Sequence, residues 1–147
     1  MNTRRGVIAG NDVVRKAVEK ERAVERGLDP DFEEEHVLER DGDLPLRFWG
    51  DKIGTASHTR DGRRGECGTE VNIYVTSSGK LVTEVFQWNV EKSRPRRKAQ
   101  AHSTPSEALA WLKQDANGVL GTTSKEAWLK ACETYEPLAE FATEKID

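Results

Sequence analysis

The sequence predicts an α+β fold in which a three-stranded antiparallel meander is covered by C-terminal helices and preceded by a charged helical arm. Three observations support this prediction. Apolar and polar residues alternate on both sides of a turn at 76–80, capping signals introduce two helical segments after residue 103, and charged residues dominate the first 44 positions. We therefore expect a helical arm at 1–44 and a compact α+β domain at 45–147.

The arm carries two helical signals. Polar residues at 11–12 can cap a helix that runs to about Arg26, and Gly27 offers a left-handed stop. An Asp-Pro pair then starts a second signal over 29–39, with acidic residues in its first turns, where the helix dipole favours them. Because the apolar stripe of the first helix is thin, the arm suits docking on a partner or on a second copy, as in a homodimer. The loop at 41–45 is the expected boundary.

The three strands belong to the compact domain. Leu46 to Ser57 supplies the first strand, with Gly50 and Gly54 as expected bulges. The next two strands flank the turn at 76–80. The alternating apolar positions before and after that turn are Val71, Ile73 and Val75, then Val82, Phe86, Trp88 and Val90. Such alternation predicts a sheet with one buried face and one wet face.

Two C-terminal helices follow, each with an explicit start. Thr104-Pro105-Ser106-Glu107 and Thr123-Ser124-Lys125-Glu126 both fit the capping box, and the first places proline at the first helical position. Their apolar residues are positioned to cover the sheet. Pro137 is expected to end or kink the second helix, which leaves Leu138 to Phe141 for a final turn.

Charge is distributed in three blocks. Residues 1–45 hold 8 Lys and Arg against 12 Asp and Glu, residues 46–103 hold 11 against 6, and residues 104–147 hold 4 against 8. The total of −3 therefore hides a basic centre between two acidic ends. Partner choice follows local potential, so this centre is where a polyanion would bind.

The predicted topology brings the basic centre to one edge of the sheet. In a meander, the loop between strands one and two lies at the same end as the exit from strand three, so two basic clusters meet there. The expected nucleic-acid-binding residues are Arg60, Arg63, Arg64, Arg94, Arg96, Arg97 and Lys98. Arginine dominates this set, and its planar fork suits phosphate. A non-enzymatic protein that contacts DNA or RNA mainly through phosphates is the preferred hypothesis.

Other functions stay open. The same basic residues suit an acidic protein surface or simple solvation, and the charged arm suits a protein-interaction or inhibitor module. A small enzyme would need a cleft that holds His58 or His102 beside a carboxylate. Tryptophans are expected mainly in the core, whereas Tyr74 is the better stacking candidate.

Several classes of function have no signature in the chain. No motif indicates a catalytic residue, a metal ligand set or a cofactor, and Cys67 and Cys132 stand without companions. No apolar run approaches the ~20 residues of a membrane span, and the first residues lack the apolar stretch of a signal peptide. A cytoplasmic protein without a membrane partner is expected.

A family resemblance rests on three segments. Arg47-Phe48-Trp49-Gly50-Asp51-Lys52-Ile53, Thr59-Arg60-Asp61-Gly62-Arg63-Arg64 and Ile73-Tyr74-Val75-Thr76-Ser77-Ser78-Gly79-Lys80, with the C-terminal Glu144-Lys145-Ile146-Asp147, resemble the actinobacterial EXLDI proteins. The resemblance covers about residues 46–147. It implies a body of this shape and an actinobacterial, phage or plasmid source, and it implies no activity and no functional residue.

Overall fold

The computed structural model describes residues 34–62, 65–89, 92–114, 117–144 and 146. Within them, one antiparallel sheet of five strands is followed by three helical segments, which confirms the α+β class. The strands, hydrogen-bonded in chain order, are β1 (Glu34–Leu38), β2 (Leu46–Gly62), β3 (Gly65–Thr76), β4 (Leu81–Asn89) and β5 (Lys92–His102). The helices are α1 (Pro105–Gln114), α2 (Thr122–Thr134) and a 3-10 helix (Glu136–Ala142).

The sheet has two more strands than the predicted three-stranded meander. The first additional strand, β1, lies where the sequence predicts the second helix of the arm. His36 and Leu38 pair with Phe48 and Leu46 of β2, and Leu38 becomes buried. Pairing with β2 thus outweighs the local acidic signal for a helix start. The predicted helical arm has no counterpart in the described part of the chain, and its first helix, ending at about Arg26, lies outside that part.

The second additional strand, β5, contains the basic run that was expected to leave the sheet after the third strand. Its residues pair with β4, for example Lys98 with Val85 and Arg97 with Phe86. A buried strand such as β4 must satisfy its backbone groups on both sides, and β5 supplies partners for one side. Buried residues that follow the cations, Ala99 and His102, fit this pairing.

The helices cover one face of the sheet. Helix α2 packs on β2 and β3, and α1 packs on β4 and β5. The core between them is built from Ile53, Ala56, Val71, Ile73, Val75, Leu81, Val85, Ala108, Leu112, Ala127, Trp128, Ala131, Cys132, Tyr135 and Leu138. Gly54 allows α2 to approach closely, because a Cβ there would collide with the carbonyl oxygen of Ala127. No helix among the described residues is long and apolar enough to cross a membrane.

The two predicted helix starts have different outcomes. At α1, Thr104 Oγ1 accepts a hydrogen bond from Glu107 N–H at 3.2 Å, and the Glu107 carboxylate accepts one from Ser103 N–H at 2.9 Å. Helix α2 begins at Thr122, and its N-cap, Gly121, makes no side-chain hydrogen bond. The second capping box is therefore wrong, since Glu126 binds His58 and Lys130 instead.

The sheet curls so that the loop after β1 reaches β5. Just after β1, Asp41 N–H donates to the carbonyl of Arg97 in β5 at 2.9 Å, and the Asp41 carboxylate accepts the Arg97 N–H at 2.8 Å. Arg40 adds a longer contact to the Ala99 carbonyl at 3.4 Å. A second apolar cluster of Leu38, Tyr74, Val82 and Ala99 lies on the face that the helices leave uncovered. The result is a half-barrel with a helical exterior.

Candidate nucleic-acid interface

The strand register separates two faces of the sheet. Directly paired residues share a face, and Val71, Ile73 and Val85 point toward the helices. Their neighbours along the strands point the other way, into the half-barrel. We call this the interior face. Its side chains include Lys52, Thr55, Glu70, Asn72, Tyr74, Val82, Glu84, Phe86, Trp88, Arg97 and Ala99.

Three side chains of the interior face form a stack. The rings of Phe86 and Trp88 lie 5.4 Å apart at an interplanar angle of 27°, and both residues are half-buried. Across the strand pair, the guanidinium carbon of Arg97 lies 4.3 Å from the Phe86 ring centroid. Such contacts combine ring stacking with cation–π attraction. We call Arg97, Phe86 and Trp88 the Arg97 stack.

Gly68 provides the space for this stack. It pairs with Trp88 across β3 and β4, and a Cβ at Gly68 would collide with the six-membered ring of the indole. The absence of a side chain therefore lets the Trp88 ring lie against the backbone of β3. This arrangement fixes the ring against the sheet, so little side-chain entropy remains to be lost on binding.

A polar network adjoins the stack. Asn72, which is only 3% exposed, donates to Glu70 Oε2 at 2.8 Å and to Glu84 Oε1 at 2.9 Å, and it accepts from Thr55 Oγ1 at 2.7 Å. Tyr74 also donates to Glu84 Oε1, at 3.2 Å. Burial, followed by the charge of Glu84, raises the pKa of the Tyr74 phenol, which keeps it a neutral donor. Glu70 and Glu84 are therefore diagonal neighbours bridged by an amide.

Aromatic residues close the other end of the interior face. The His36 ring stacks on Phe48 at 5.2 Å and contacts Tyr74 at 4.8 Å, and the Lys52 ammonium lies 5.7 Å from the Tyr74 centroid. Burial lowers the pKa of His36. Its Nε2 lies 3.2 Å from the Gly50 carbonyl, an arrangement suited to a protonated nitrogen at that position. Packed rings line this end of the half-barrel beside a pocket of ≈ 320 Å³ bordered by Phe48, Val82 and Lys80, and the end with Trp88 borders a separate groove.

The predicted basic residues lie on strands. Arg60 is in β2, and Arg94, Arg96, Arg97 and Lys98 are in β5, whereas Arg63 and Arg64 lie outside the described residues. Arg97 points to the interior face, and Arg96 and Lys98 point to the opposite face. Arg96 and Arg97 are exposed. Arg60 donates to the Cys67 sulfur at 3.5 Å, an interaction that raises the pKa of its guanidinium.

The β2–β3 and β4–β5 connections share one end of the sheet. Arg60 pairs with Cys67, Cys67 with Asn89, and Asn89 with Lys92, so one row of residues runs from β2 to β5 there. The structure thus places Arg60 and the start of β5 at the same end of the sheet, separated by two strands, with Arg96, Arg97 and Lys98 further along β5. We call this the basic end.

A groove of ≈ 520 Å³ at the basic end joins the two faces. Arg60 and Trp88 both line it, with His58, Thr59, Cys67, Gly68, Thr69 and Gln87. His58 Nε2 lies 3.1 Å from Glu126 Oε1, and both side chains are nearly half exposed. Hydrogen bonds from His58 and Lys130 lower the pKa of Glu126. The groove offers cationic, aromatic and polar groups to one ligand.

Sequence reasoning missed the aromatic part of this site. Trp88 was expected in the core, but it is half-buried on the interior face, and Tyr74, the expected stacking residue, is only 4% exposed and bonded to Glu84. A usable signal was present: Phe86 and Trp88 share one parity in a strand that immediately precedes the basic run. Within the described residues, no three His, Cys, Asp or Glu side chains could hold a metal ion.

The chain matches no known family model, no curated protein and no solved structure. The resemblance to EXLDI proteins therefore stays a prediction.

Proposed function

We propose that the protein is a non-enzymatic nucleic-acid-binding protein that contacts its partner at the basic end of the half-barrel. One observation carries this proposal: the guanidinium of Arg97 stacks on Phe86 at 4.3 Å, in line with Trp88, on a strand that also presents Arg96 and Lys98. Cations beside stacked aromatic rings are the combination that nucleic-acid surfaces use. The resemblance to EXLDI proteins extends the proposal to a phage- or plasmid-encoded regulator.

The cations have distinct positions in this proposal. Arg96 and Lys98 lie on the helix-covered face of the edge strand β5, where Arg96 is exposed, so phosphates that follow this edge would meet them. Arg60 lines the groove two strands away. Each neutralised phosphate releases condensed counterions, so affinity should fall steeply with salt and depend weakly on sequence. Arg63, Arg64 and Arg94 belong to the same predicted set.

Fluorescence anisotropy with labelled DNA and RNA at two salt concentrations tests the proposal. The double variant Arg60→Ala, Arg96→Ala should weaken binding at least tenfold at low salt, since about two fewer counterions are released. The matched control, Lys80→Ala with Lys125→Ala, removes the same charge from the opposite turn and from α2 and should bind like the wild type. Equal losses in both double variants, or salt-independent binding, would refute a phosphate site at the basic end.

A second candidate function, a small enzyme, is favoured by one observation. His58 lies 3.1 Å from Glu126 in a groove that also holds the Cys67 thiol and Arg60. A histidine oriented by a carboxylate is an arrangement that general-base catalysis uses. Hydrolysis of an activated ester by the wild type, lost in both His58→Gln and Cys67→Ser, would support it. Hydrolysis that both variants retain would exclude these residues from catalysis.

A further inference from the structure

The Arg97 stack can accept only a base that is free to stack on it. Bases inside a duplex already stack on each other, and proteins that use aromatic or guanidinium planes for recognition bind unpaired bases. The Arg97 guanidinium is exposed, and the Trp88 indole lines the groove at the basic end. A planar ring that enters from the groove would extend this stack. A duplex offers such a ring only at its ends.

The carboxylates beside the stack determine which part of the nucleic acid enters. Glu70 is the direct cross-strand partner of Phe86, and Glu84 lies two residues before Phe86 on β4. Both carboxylates are half-buried. Asn72 lies between them and donates a hydrogen bond to each, which holds them in place. Negative charges in this position repel a phosphate. The phosphates must therefore stay near Arg60, Arg96 and Lys98, while the base points inward.

The same carboxylates favour bases that carry an amino group. Within the described residues, Glu70 accepts its hydrogen bond, from Asn72, at Oε2. Its other oxygen, Oε1, has the capacity to accept from a donor that lies next to the Phe86 ring. Exocyclic amino groups of cytosine, adenine and guanine are such donors, and carboxylates pair with the cytosine amino group in known readout. Thymine and uracil carry an oxygen at the corresponding position, which a carboxylate repels.

We propose that the interior face binds one unpaired, amino-bearing nucleobase of a single-stranded nucleic acid, stacked against Arg97, Phe86 and Trp88 with its amino group donating to Glu70. This inference rests on the proposed nucleic-acid function and specifies its substrate class. The phosphates on either side of that base lie at the basic end.

Anisotropy titrations with labelled oligo-dC, oligo-dT, oligo-rC and a mixed-sequence duplex test this inference. Wild-type protein should bind oligo-dC and oligo-rC about tenfold or more tightly than the duplex, because each stacked base is worth ~1–3 kcal/mol. The variant Trp88→Leu should lose most of that preference, so that its affinities for oligo-dC and the duplex become similar. The variant Glu70→Gln, which preserves size and removes the charge, should reduce the preference for oligo-dC over oligo-dT severalfold.

The variants separate failure of this inference from failure of the proposed function. The inference is overturned if the wild type binds the duplex as tightly as oligo-dC, or if Trp88→Leu keeps the wild-type preference for oligo-dC. Either result overturns it even if the Arg60→Ala, Arg96→Ala variant still loses salt-sensitive binding. Absence of salt-sensitive binding to every probe overturns both. If circular dichroism shows that Trp88→Leu does not fold, the preference for oligo-dC is measured in Phe86→Leu and Glu70→Gln instead. Neither of these changes disturbs the contact between Gly68 and Trp88.

Discussion

Asp41 and Arg97 hold the two ends of the curled sheet together through a reciprocal pair of bonds. The backbone N–H of Asp41 donates to the Arg97 carbonyl at 2.9 Å, and the Asp41 carboxylate accepts the Arg97 N–H at 2.8 Å. These residues are 56 positions apart in the chain. The contact covers the free edge of β5 at one position and holds the backbone of Arg97, whose side chain stacks on Phe86.

We expect Asp41→Ala to lower the free energy of unfolding by about 1–2 kcal/mol, because a charge-assisted hydrogen bond is lost and an edge N–H returns to water. Urea denaturation followed by circular dichroism measures this loss. Asp61→Ala, a change of the same type at an exposed position near the end of β2, is the control and should stay within ~0.5 kcal/mol of the wild type. Equal effects of the two changes would show that the Asp41–Arg97 pair does not stabilise the closure.

Gly54 should be intolerant of any side chain. A Cβ at this position would collide with the carbonyl oxygen of Ala127 and lie 2.9 Å from the Ala131 Cβ, both in α2. Because the helix must move away from β2 to make room, Gly54→Ala should cost about 2–3 kcal/mol. Urea denaturation provides the value, and Ser57→Ala on the same strand, an exposed position, is the control. A change below ~0.5 kcal/mol in Gly54→Ala would contradict the close approach of α2.

The sequence supported the parts of the fold whose signals are local. The turn at 76–80 joins β3 and β4, and the Thr104 cap starts α1, because backbone geometry and a hydroxyl within a few residues determine both. The strands β1 and β5 could not be predicted in this way. They are held by pairing with the neighbouring strands β2 and β4, which residue type does not indicate here, since their charges look like those of a helix start or a linker.

Strand periodicity also left the direction of each face open. Val82 pairs with Tyr74 and Val85 pairs with Val71, so the parity shared by Val82, Phe86 and Trp88 points away from the helices. Alternation alone says only that two faces differ. The half-barrel buries part of both faces, and for that reason a rule of one buried and one wet face misplaced Trp88 and Tyr74.

Acidification should destabilise the fold through two buried histidines. Burial lowers the pKa of both His102 and His36. The Nε2 atom of His102 lies 2.8 Å from Thr83 Oγ1, and its ring contacts Trp111. The charge of Glu107 at His102 only partly offsets burial. At His36 the Gly50 hydrogen bond and the charges of Glu34 and Glu84 partly offset burial, whereas the charge of Lys52 lowers the pKa further. A folded-state pKa below the unfolded value of 6.5 means that the unfolded chain binds more protons. This contribution to stability is present above pH 6.5 and is lost as the pH falls through the lower folded-state values.

Urea unfolding at a series of pH values on both sides of 6.5, the unperturbed histidine pKa, tests this expectation. The double variant His36→Gln, His102→Gln should show a flatter dependence than the wild type in that window. A double variant with the full wild-type slope would assign the acid sensitivity to other groups.

Replacing Asn72 by aspartate should be the most damaging isosteric change on the interior face. The amide of Asn72 donates to Glu70 at 2.8 Å and to Glu84 at 2.9 Å, so Asn72→Asp replaces a shared donor with a third carboxylate at a site only 3% exposed. Two hydrogen bonds become repulsions, and we expect a loss of about 3 kcal/mol or more at neutral pH. Protonation of any of the three carboxylates removes a negative charge and relieves this repulsion. The loss should therefore shrink as the pH falls toward the carboxyl range, opposite in sign to the histidine effect.

Urea denaturation at neutral and at acidic pH measures the loss of stability in Asn72→Asp, with Asn117→Asp on an exposed loop as the matched control. A destabilisation in Asn72→Asp that does not change with pH would mean that packing, and not carboxylate repulsion, is what the amide of Asn72 controls.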